Sequence, residues 1–273
     1  MKDIKICIAY HKKSFLIKNE FYIPIQVGKS LHPEIDLGIQ YDNAGDNISY
    51  KNDYYCELTA LYWLWKNVKA DYKGLCHYRR FFSYKYGIKY KLKNILKPLQ
   101  SLRSHLFFNM PYVYYTDECK YEQDANVTLK RVNNLLDHYD IICTKKIVEN
   151  RSSFWHFSIY GLEIINLIRN IIRVDYPSYY SFIAYTETPS TFHFGNMSIM
   201  KNELFDEYCT FLFGILEKVE RILLADKWYI DFHKEKVFSR KLGYFGEYLT
   251  DLFIRRKKNE NVKIKELYVA ILK

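Results

Sequence analysis

Short apolar runs that end in polar residues alternate along the chain with longer segments of helical periodicity. The apolar runs predict buried strands at 4–10, 74–76 and 139–143 and a final extended segment at 262–272. Apolar residues that recur every three or four positions predict helices at 58–65, 127–138, 154–174 and 204–222. Strands that alternate with helices in this way predict an α/β fold, with a mostly parallel sheet flanked by helices.

The remaining segments predict loops and one irregular insertion within a single domain of residues 1–273. Residues 83–125 are basic and aromatic with poor periodicity, which indicates an insertion or a flap that faces the substrate. The Tyr-, Pro- and Ser-rich segment 175–191 predicts a loop. Two glycines predict a turn at 243–246, and a short helix follows at 247–256.

Polar side chains are predicted to gather around the helix at 58–65 and the strand that follows it. A turn rich in Asp, Asn and Gly at 42–47 leads to Asn52 and Asp53, either of which can cap the helix. Glu57 falls off the apolar stripe in the first turn. Because ligands bind at the carboxyl ends of strands in open α/β sheets, we expect the binding site here.

Composition narrows the class of partner but does not choose one. The net charge of +10 suits an anionic partner such as a nucleic acid, a membrane surface or a phosphate-bearing substrate. The six cysteines form no CxxC pair, which is typical of a reducing, cytoplasmic protein. We expect neither a signal peptide nor a transmembrane helix, because the first apolar run is short and no run of about 18 apolar residues occurs.

Basic residues follow the ends of two predicted strands, with His11 and Lys12 after the first and His77, Arg79 and Arg80 after the second. Arginine offers a bidentate fork to phosphate, so an anion site is one interpretation and a solvated basic face is the other. No Asp-x-Asp occurs, so the residues that hold Mg²⁺ or Mn²⁺ in many nucleotide-sugar enzymes are not visible. If a diphosphate binds, we expect these positive side chains to neutralise it without a metal. The chain also lacks a Walker loop, a GxGxxG fingerprint and a GxSxG elbow.

Two later motifs supply further candidates. His193 and Asn196 form an H-x-x-N pattern that can hydrogen-bond sugar hydroxyls, although a histidine in an aromatic setting is also often structural. Glu247 begins a predicted helix after two glycines. It is either a general base that deprotonates an acceptor hydroxyl or a helix-start acid favoured by the helix dipole.

Five sequence blocks resemble one bacterial family. They are GDNISYKNDYYCELTALYWLWKN from residue 45, YKGLCHYRRFF from 72, YDII from 139, HFGNMSIM from 193 and GYFGEYL from 243. The family comprises glycosyltransferases of capsular and O-antigen polysaccharide synthesis, long labelled a domain of unknown function, and one branch is galactofuranosyltransferase-like. The resemblance covers roughly residues 3–255 and implies a GT-A-like, Rossmann-type fold with sugar transfer from a UDP-sugar.

The family motifs carry over onto this chain position by position. The matching residues are Asp46, Asn47, Asn52, Glu57, His77, Arg79, Arg80, His193, Asn196 and Glu247. We expect His193 and Asn196 to bind the sugar and Glu247 to act as the catalytic base. We expect the others, together with His11 and Lys12, to bind the nucleotide part of the donor.

The sequence therefore predicts a cytoplasmic, metal-independent glycosyltransferase with a UDP-sugar as co-substrate and no further cofactor. Galactofuranose as the sugar, and inversion at its anomeric carbon, follow only from the galactofuranosyl branch. The expected acceptor is a growing glycan on polyprenyl diphosphate at the inner membrane face, where the basic segment near 85–115 would dock peripherally. The alternative is a non-catalytic sugar-binding or scaffold subunit. Nucleic acid is not expected, because basic and aromatic residues are scattered rather than interleaved.

Overall fold

The computed structural model describes residues 2–84, 112–187, 189–193, 195–227, 229–230 and 239–273. Its strands are β1 (Ile4–Tyr10), β2 (Tyr22–Gln26), β3 (Gln40–Tyr41), β4 (Tyr72–His77), β5 (Arg80–Ser83), β6 (Tyr112–Tyr115), β7 (Ile141–Thr144), β8 (Ile147–Ser152), β9 (Pro189–Phe192), β10 (Ser198–Lys201) and β11 (Ile264–Leu272). Its helices are α1 (Asn52–Tyr55), α2 (Leu58–Asn67), α3 (Glu118–Leu135), α4 (Ser153–Ser158), α5 (Leu162–Asp175), α6 (Pro177–Glu187), α7 (Asn202–Ala225) and α8 (Lys241–Asn259).

The main sheet has a parallel half and a mixed half that meet at β4. On the parallel side, β1 pairs with both β2 and β4. Beyond β4, β10 runs antiparallel to β4 and β7, while β11 runs antiparallel to β5 and parallel to β6 and β7. The strand order is β10-β7-β11-β5-β4-β1-β2-β3. Because β4 also contacts β5, the strands β4, β5, β11, β7 and β10 form a partly closed ring.

The α/β class is confirmed, but the prediction of a mostly parallel sheet was wrong beyond β4. Only Tyr78 and Arg79 separate β4 from β5, and His77 pairs with Arg80 across this turn. A connection of two residues can join only antiparallel strands, because a parallel pair needs a long crossover. The mixed half of the sheet thus begins at the basic motif itself.

Strand β1 divides the core into two layers. Its side chains alternate, with Cys7 and Ala9 in the layer under α2 and the helices α5 to α8, and Ile6 and Ile8 in the layer under α3. A strand covered on both faces shows a continuous apolar run rather than an alternating one. This pattern explains why the prediction of a strand at 4–10 is confirmed residue by residue.

The helix predictions were right for the long periodic segments, but a predicted loop and a predicted turn also contain helix. The helix predicted at 204–222 is α7, which extends slightly beyond it at both ends. The predicted loop at 175–191 was wrong, because it contains α6 and β9. In α6, Tyr179, Ile183 and Thr186 are buried on one face, a spacing that the surrounding Tyr and Ser residues hide. Among the described helices, none is long and apolar enough to cross a membrane.

The turn predicted at 243–246 was also wrong, because both glycines lie inside α8. A side chain at either glycine would collide with the segment that joins α1 to α2. A Cβ on Gly246 would lie 2.7 Å from Leu58 Cδ1, and one on Gly243 would lie 3.1 Å from Cys56 Cβ. These glycines therefore serve a close helix approach instead of a chain reversal.

The flap predicted at 83–125 lies partly outside the described residues. Its described portion contains β6, which pairs in parallel with β11, and the first two turns of α3. Asp117 caps α3 by accepting a 3.0 Å hydrogen bond from the Lys120 amide. Residues 112–125 are thus regular elements of the fold.

Gly74 is predicted to be essential for the junction of the two half-sheets. A Cβ at this position would lie 2.5 Å from the Ser198 carbonyl oxygen and 2.9 Å from Ile199 Cγ1. We expect Gly74→Ala to lower the free energy of unfolding by about 2 kcal/mol or more, the usual cost of overpacking. Urea denaturation of both proteins measures this difference.

Gly214→Ala is the matched control for that experiment. Its Cβ would meet only the end of a flexible side chain, Tyr176 Oη at 2.5 Å, in the interior of α7. The ring can move aside, and alanine favours a helix by up to about 1 kcal/mol over glycine. Equal destabilisation by the two substitutions would contradict the proposed role of the β4–β10 contact.

Candidate functional site

The carboxyl ends of β1, β2 and β4 open into a cleft of about 580 Å³. The lining residues that matter for its chemistry are His11, Asn52, Cys56, Glu57, His77 and Arg240. A smaller recess adjoins the cleft and is lined by Arg80, Gly195 and Asn196, and Glu57 and His77 line both spaces. The predicted location at the strand ends is therefore where the structure has its large cleft.

The tight turn between β4 and β5 arranges several cations around one aromatic ring. Tyr78 is buried in the turn, and its amide donates a 3.1 Å hydrogen bond to the Ala9 carbonyl oxygen. The ring of His11 contacts the Tyr78 ring edge-on at 4.9 Å. Lys12 Nζ and Arg79 Cζ lie 5.6 and 5.7 Å from the centre of the same ring. Sequence reasoning found the cations but missed Tyr78, which holds them at one place.

His77 is an uncharged group at the centre of this positive cluster. Burial, followed in decreasing order by the charges of Arg80, His11, Arg79 and Arg240, lowers the pKa of His77 to about 3. Its Nδ1 atom is buried and has no hydrogen-bond partner among the described residues. A buried polar atom without a partner is costly, so this atom marks a place where a ligand group would be satisfied.

Arg240 is a site residue that the sequence did not reveal. It lines the cleft and stands immediately before α8 in a left-handed conformation, with φ of 60°. Its amide donates a 2.7 Å hydrogen bond to the Asp53 carbonyl oxygen, which ties the start of α8 to α1. Arg240 is 160 residues or more from the other cations in the chain, and nothing in the local sequence links it to them.

The break between α1 and α2 shapes the floor of the cleft. Cys56 has φ of 51°, an uncommon value for a residue with a side chain. Asn52 Nδ2 donates hydrogen bonds to the Cys56 carbonyl oxygen at 2.8 Å and to Thr59 Oγ1 at 3.0 Å. Asn52 therefore stabilises the break, and the break directs Glu57 into the cleft at the start of α2.

The polar turn at 42–47 supports the cleft but does not line it. Asn47 Nδ2 donates to the carbonyl oxygens of Asn43 and Gly45, and Asp46 Oδ1 accepts a 3.3 Å bond from the Tyr62 hydroxyl. Neither Asp46 nor Asn47 lines the cleft. Their predicted role in binding the donor stays a prediction, and the contacts observed lie within the turn or join it to α2.

Asp42 is the buried acid that holds this region together, and sequence reasoning passed over it. Its carboxylate accepts from the Gly28 amide at 2.9 Å and from the Thr59 hydroxyl at 2.7 Å. It also accepts from the Lys29 amide and the Ser49 hydroxyl. This single side chain thereby joins the loop after β2, the 3₁₀ turn of Ser49–Lys51 and α2.

Two carboxylates, Glu57 and Glu247, meet beside the recess. Asn196 Nδ2 donates a 2.9 Å hydrogen bond to Glu57 Oε1, and the Gly195 amide donates a 3.2 Å bond to Glu247 Oε2. Burial and then the charge of Glu57 raise the pKa of Glu247 to about 8, and the Gly195 amide and Arg80 oppose this shift. Asn196 and Glu247 thus lie near the same pair of carboxylates, and their roles in sugar binding and catalysis stay predictions.

His193 lies in a separate buried network. Its Nδ1 lies 2.8 Å from Asp251 Oδ1, and its Nε2 lies 3.3 Å from Glu266 Oε1. Arg255 Nε in turn donates to the other Asp251 oxygen at 2.6 Å. Both ring nitrogens of His193 are thus engaged inside the protein, and the residue lines neither the cleft nor the recess. This geometry favours the structural interpretation of His193.

Metal-binding residues are not grouped in the part of the chain that the structure describes. No set of three or more His, Cys, Asp or Glu side chains there could hold a metal ion. In the carboxylate pair, Asn196 and the Gly195 amide each occupy one oxygen, of Glu57 and of Glu247 respectively.

Residues 5–259 match the family described as a domain of unknown function, DUF4422. The chain belongs to the DUF4422 family. No curated protein matches this chain. Among solved structures, it is similar to the apo structure of WbbM, a bifunctional glycosyltransferase, with 26% identity and a TM-score of 0.80. The match covers 99% of this chain and 45% of the WbbM chain, so this DUF4422 chain spans less than half of that protein's length.

Glu247 is predicted to make the stability of this DUF4422 protein fall as pH rises. Its pKa is raised from 4.5 to about 8, so between these values the native state holds a proton that the unfolded chain has released. Stability therefore declines over this window, by up to about 1.4 kcal/mol per pH unit, and the contribution is lost above pH 8. Glu247→Gln should remove this decline. Urea denaturation of both proteins from about pH 5 to 8 measures it.

Glu217→Gln is the control, since Glu217 is an exposed glutamate on α7. It should keep the wild-type pH dependence. Parallel curves for wild type and Glu247→Gln would mean that Glu247 ionises in the native state as readily as in the unfolded chain.

Proposed function

We propose that this chain is a glycosyltransferase that uses a UDP-sugar as donor. One observation carries the proposal: a cleft at the strand ends brings a cluster of cations next to a carboxylate pair. A sugar transfer from a nucleoside diphosphate needs both, since one group must stabilise the departing diphosphate and another must take the acceptor proton. The similarity to WbbM supports this class of reaction, and we propose that the chain corresponds to one transferase unit of that bifunctional protein.

The cations would stabilise the negative charge that develops on the departing diphosphate. Arg79, Arg80 and Arg240 all depress the pKa of His77, so all three lie close enough to act on the same space. The buried Nδ1 of neutral His77 would hydrogen-bond a donor oxygen there. Arginine suits this task because it remains charged and binds phosphate with two parallel hydrogen bonds.

Metal independence is part of this proposal and rests on the cations. A divalent ion in a nucleotide-sugar site neutralises the diphosphate, and here fixed positive side chains would do so. Lys12 adds to the positive potential at the end of β1, where its Nζ lies over the Tyr78 ring. His11 contributes hydrogen-bonding capacity there rather than charge. Partial burial and then the charges of Lys12, Arg240 and Arg79 lower the pKa of His11.

The finer assignments come from the family resemblance. We propose galactofuranose as the transferred sugar, inversion at its anomeric carbon, and a surface-polysaccharide acceptor on polyprenyl diphosphate. In this scheme the protein works in the cytoplasm at the inner membrane face. The basic segment proposed to dock there, residues 85–115, lies mostly outside the described residues.

Arg240 is predicted to be required for UDP binding. Removing one charge-assisted contact costs about 1.5–3 kcal/mol, so Arg240→Ala should weaken UDP binding roughly tenfold to a hundredfold. The readout is the rise in melting temperature that UDP causes, measured over a concentration series with either EDTA or Mn²⁺ present. Arg221→Ala, on the exposed face of α7, is the matched control and should bind UDP as wild type does.

The two conditions separate the parts of the proposal. Stabilisation by UDP that persists in EDTA and is lost in Arg240→Ala supports a metal-free site. Stabilisation that requires Mn²⁺ would keep the enzyme class but reject the role given to the cations. If no UDP-sugar stabilises the protein, the non-catalytic scaffold becomes the better description.

A further inference from the structure

The two carboxylates, Glu57 and Glu247, differ sharply in their access to substrate. Glu57 lines both the cleft and the recess, so it borders the space for the donor and the space beside it. Glu247 lines neither, and only 7% of its surface is exposed. A general base must come within hydrogen-bond reach of the proton it removes, and of these two carboxylates Glu57 is the one that borders this space.

Glu57 is held through one oxygen and keeps the other available. Oε1 accepts the 2.9 Å hydrogen bond from Asn196 Nδ2. Among the described residues, Oε2 has neither a hydrogen bond nor an ion pair. A carboxylate fixed in this way keeps its orientation and still has a free oxygen to accept a proton.

Asn196 is itself fixed by α8. Its Nδ2 also donates to the Gly243 carbonyl oxygen at 3.2 Å, and its Oδ1 accepts from the Thr250 hydroxyl at 3.3 Å. A Cβ on Gly246 would approach Asn196 Oδ1 to 3.1 Å. The glycines of α8 therefore admit the amide, and the amide orients Glu57.

Glu247 is unsuited to accept a proton near neutral pH. Burial and the nearby charge of Glu57 raise the pKa of Glu247 to about 8, so its carboxyl group is mainly protonated at pH 7. The other groups that face it are Arg80 and the Gly195 amide. A neutral Glu247 also avoids placing a second negative charge beside Glu57.

We propose that Glu57 is the general base of the transfer and that Asn196 is its positioning residue. This assignment rests on the proposed function. In the step, the acceptor hydroxyl proton passes to Glu57, the acceptor oxygen bonds to the anomeric carbon, and the bond from that carbon to the diphosphate oxygen breaks. The electron pair leaves with UDP, and Glu57 returns its proton to solvent.

Azide distinguishes a catalytic base from a residue with only a structural role. The azide anion attacks the anomeric carbon without losing a proton, so it bypasses the need for a base. The probe is the UDP-sugar that most stabilises the wild-type protein, with water as acceptor, and the readout is UDP release. Glu57→Ala and Glu57→Gln should each lose about 10²- to 10⁴-fold in rate. UDP binding should stay within about threefold of wild type.

Adding azide should raise UDP release by Glu57→Ala at least tenfold, with the glycosyl azide detected by mass spectrometry. Asn196→Ala should behave in the same way to a smaller degree, because a mispositioned base is also bypassed. Azide should not raise UDP release by Arg240→Ala, since this variant lacks a charge that stabilises the departing diphosphate, and azide replaces only the base. Glu247→Gln should lose less than tenfold and should not respond to azide.

Three results would overturn the assignment. Glu57→Gln could retain wild-type UDP release, azide could fail to restore both Glu57 variants, or Glu247→Gln could be the variant that azide restores. Glu57→Gln is the control for misfolding, because the glutamine amide oxygen can still accept the hydrogen bond from Asn196. If wild type neither binds UDP nor releases it from any UDP-sugar, the proposed function fails, and this assignment falls with it.

Discussion

Strand β4 has to accommodate two partners on one side, and the site depends on how it does so. β10 follows β4 from Tyr72 to Leu75, and β5 reaches it only at His77. Between these two pairings the segment before β10, Gly195 to Met197, turns away and leaves the recess. The absence of a side chain at Gly74 lets the β10 backbone come close enough for this division. The sheet thus opens at the point where β4 also ends at the cleft.

The divided strand places opposite charges within one small volume. His77 and Arg80 face each other across the β4–β5 turn, and Glu57 borders the same recess from α2. The uncharged His77 lies close enough to the arginines for their charges to lower its pKa, and its Nδ1 is unpaired in the described structure. An arrangement that only served stability would be expected to satisfy this atom, because orphaned buried polar groups are rare. The cost is understandable if a ligand supplies the missing partner.

Much of the fold and part of the site could be predicted from sequence, and the reason differs between the two. Strand β1 was predictable because it is a continuous apolar run, and helix α7 was predictable because its buried positions recur with a helical period. The mixed half of the sheet was not predictable, because pairing between β10 and β4 involves residues more than 120 positions apart. The site residues that are neighbours in sequence, His77, Arg79 and Arg80, were found. Arg240 and Asp42 were missed, because tertiary contacts alone bring them to the cleft or its supporting loops.

The glycines of α8 show how one motif can be recognised and its role misjudged. Glycine pairs usually indicate a turn, but at Gly243 and Gly246 the missing side chains make room for Cys56, Leu58 and Asn196. The motif residue Glu247 follows at once, which made it the natural candidate for the base. In three dimensions the same close packing buries Glu247 behind Glu57 and directs Asn196 toward the more exposed acid. The sequence motifs therefore singled out Glu57 and Glu247 separately, while only the packing of α8 around Leu58 and Asn196 brings the two acids together and distinguishes them.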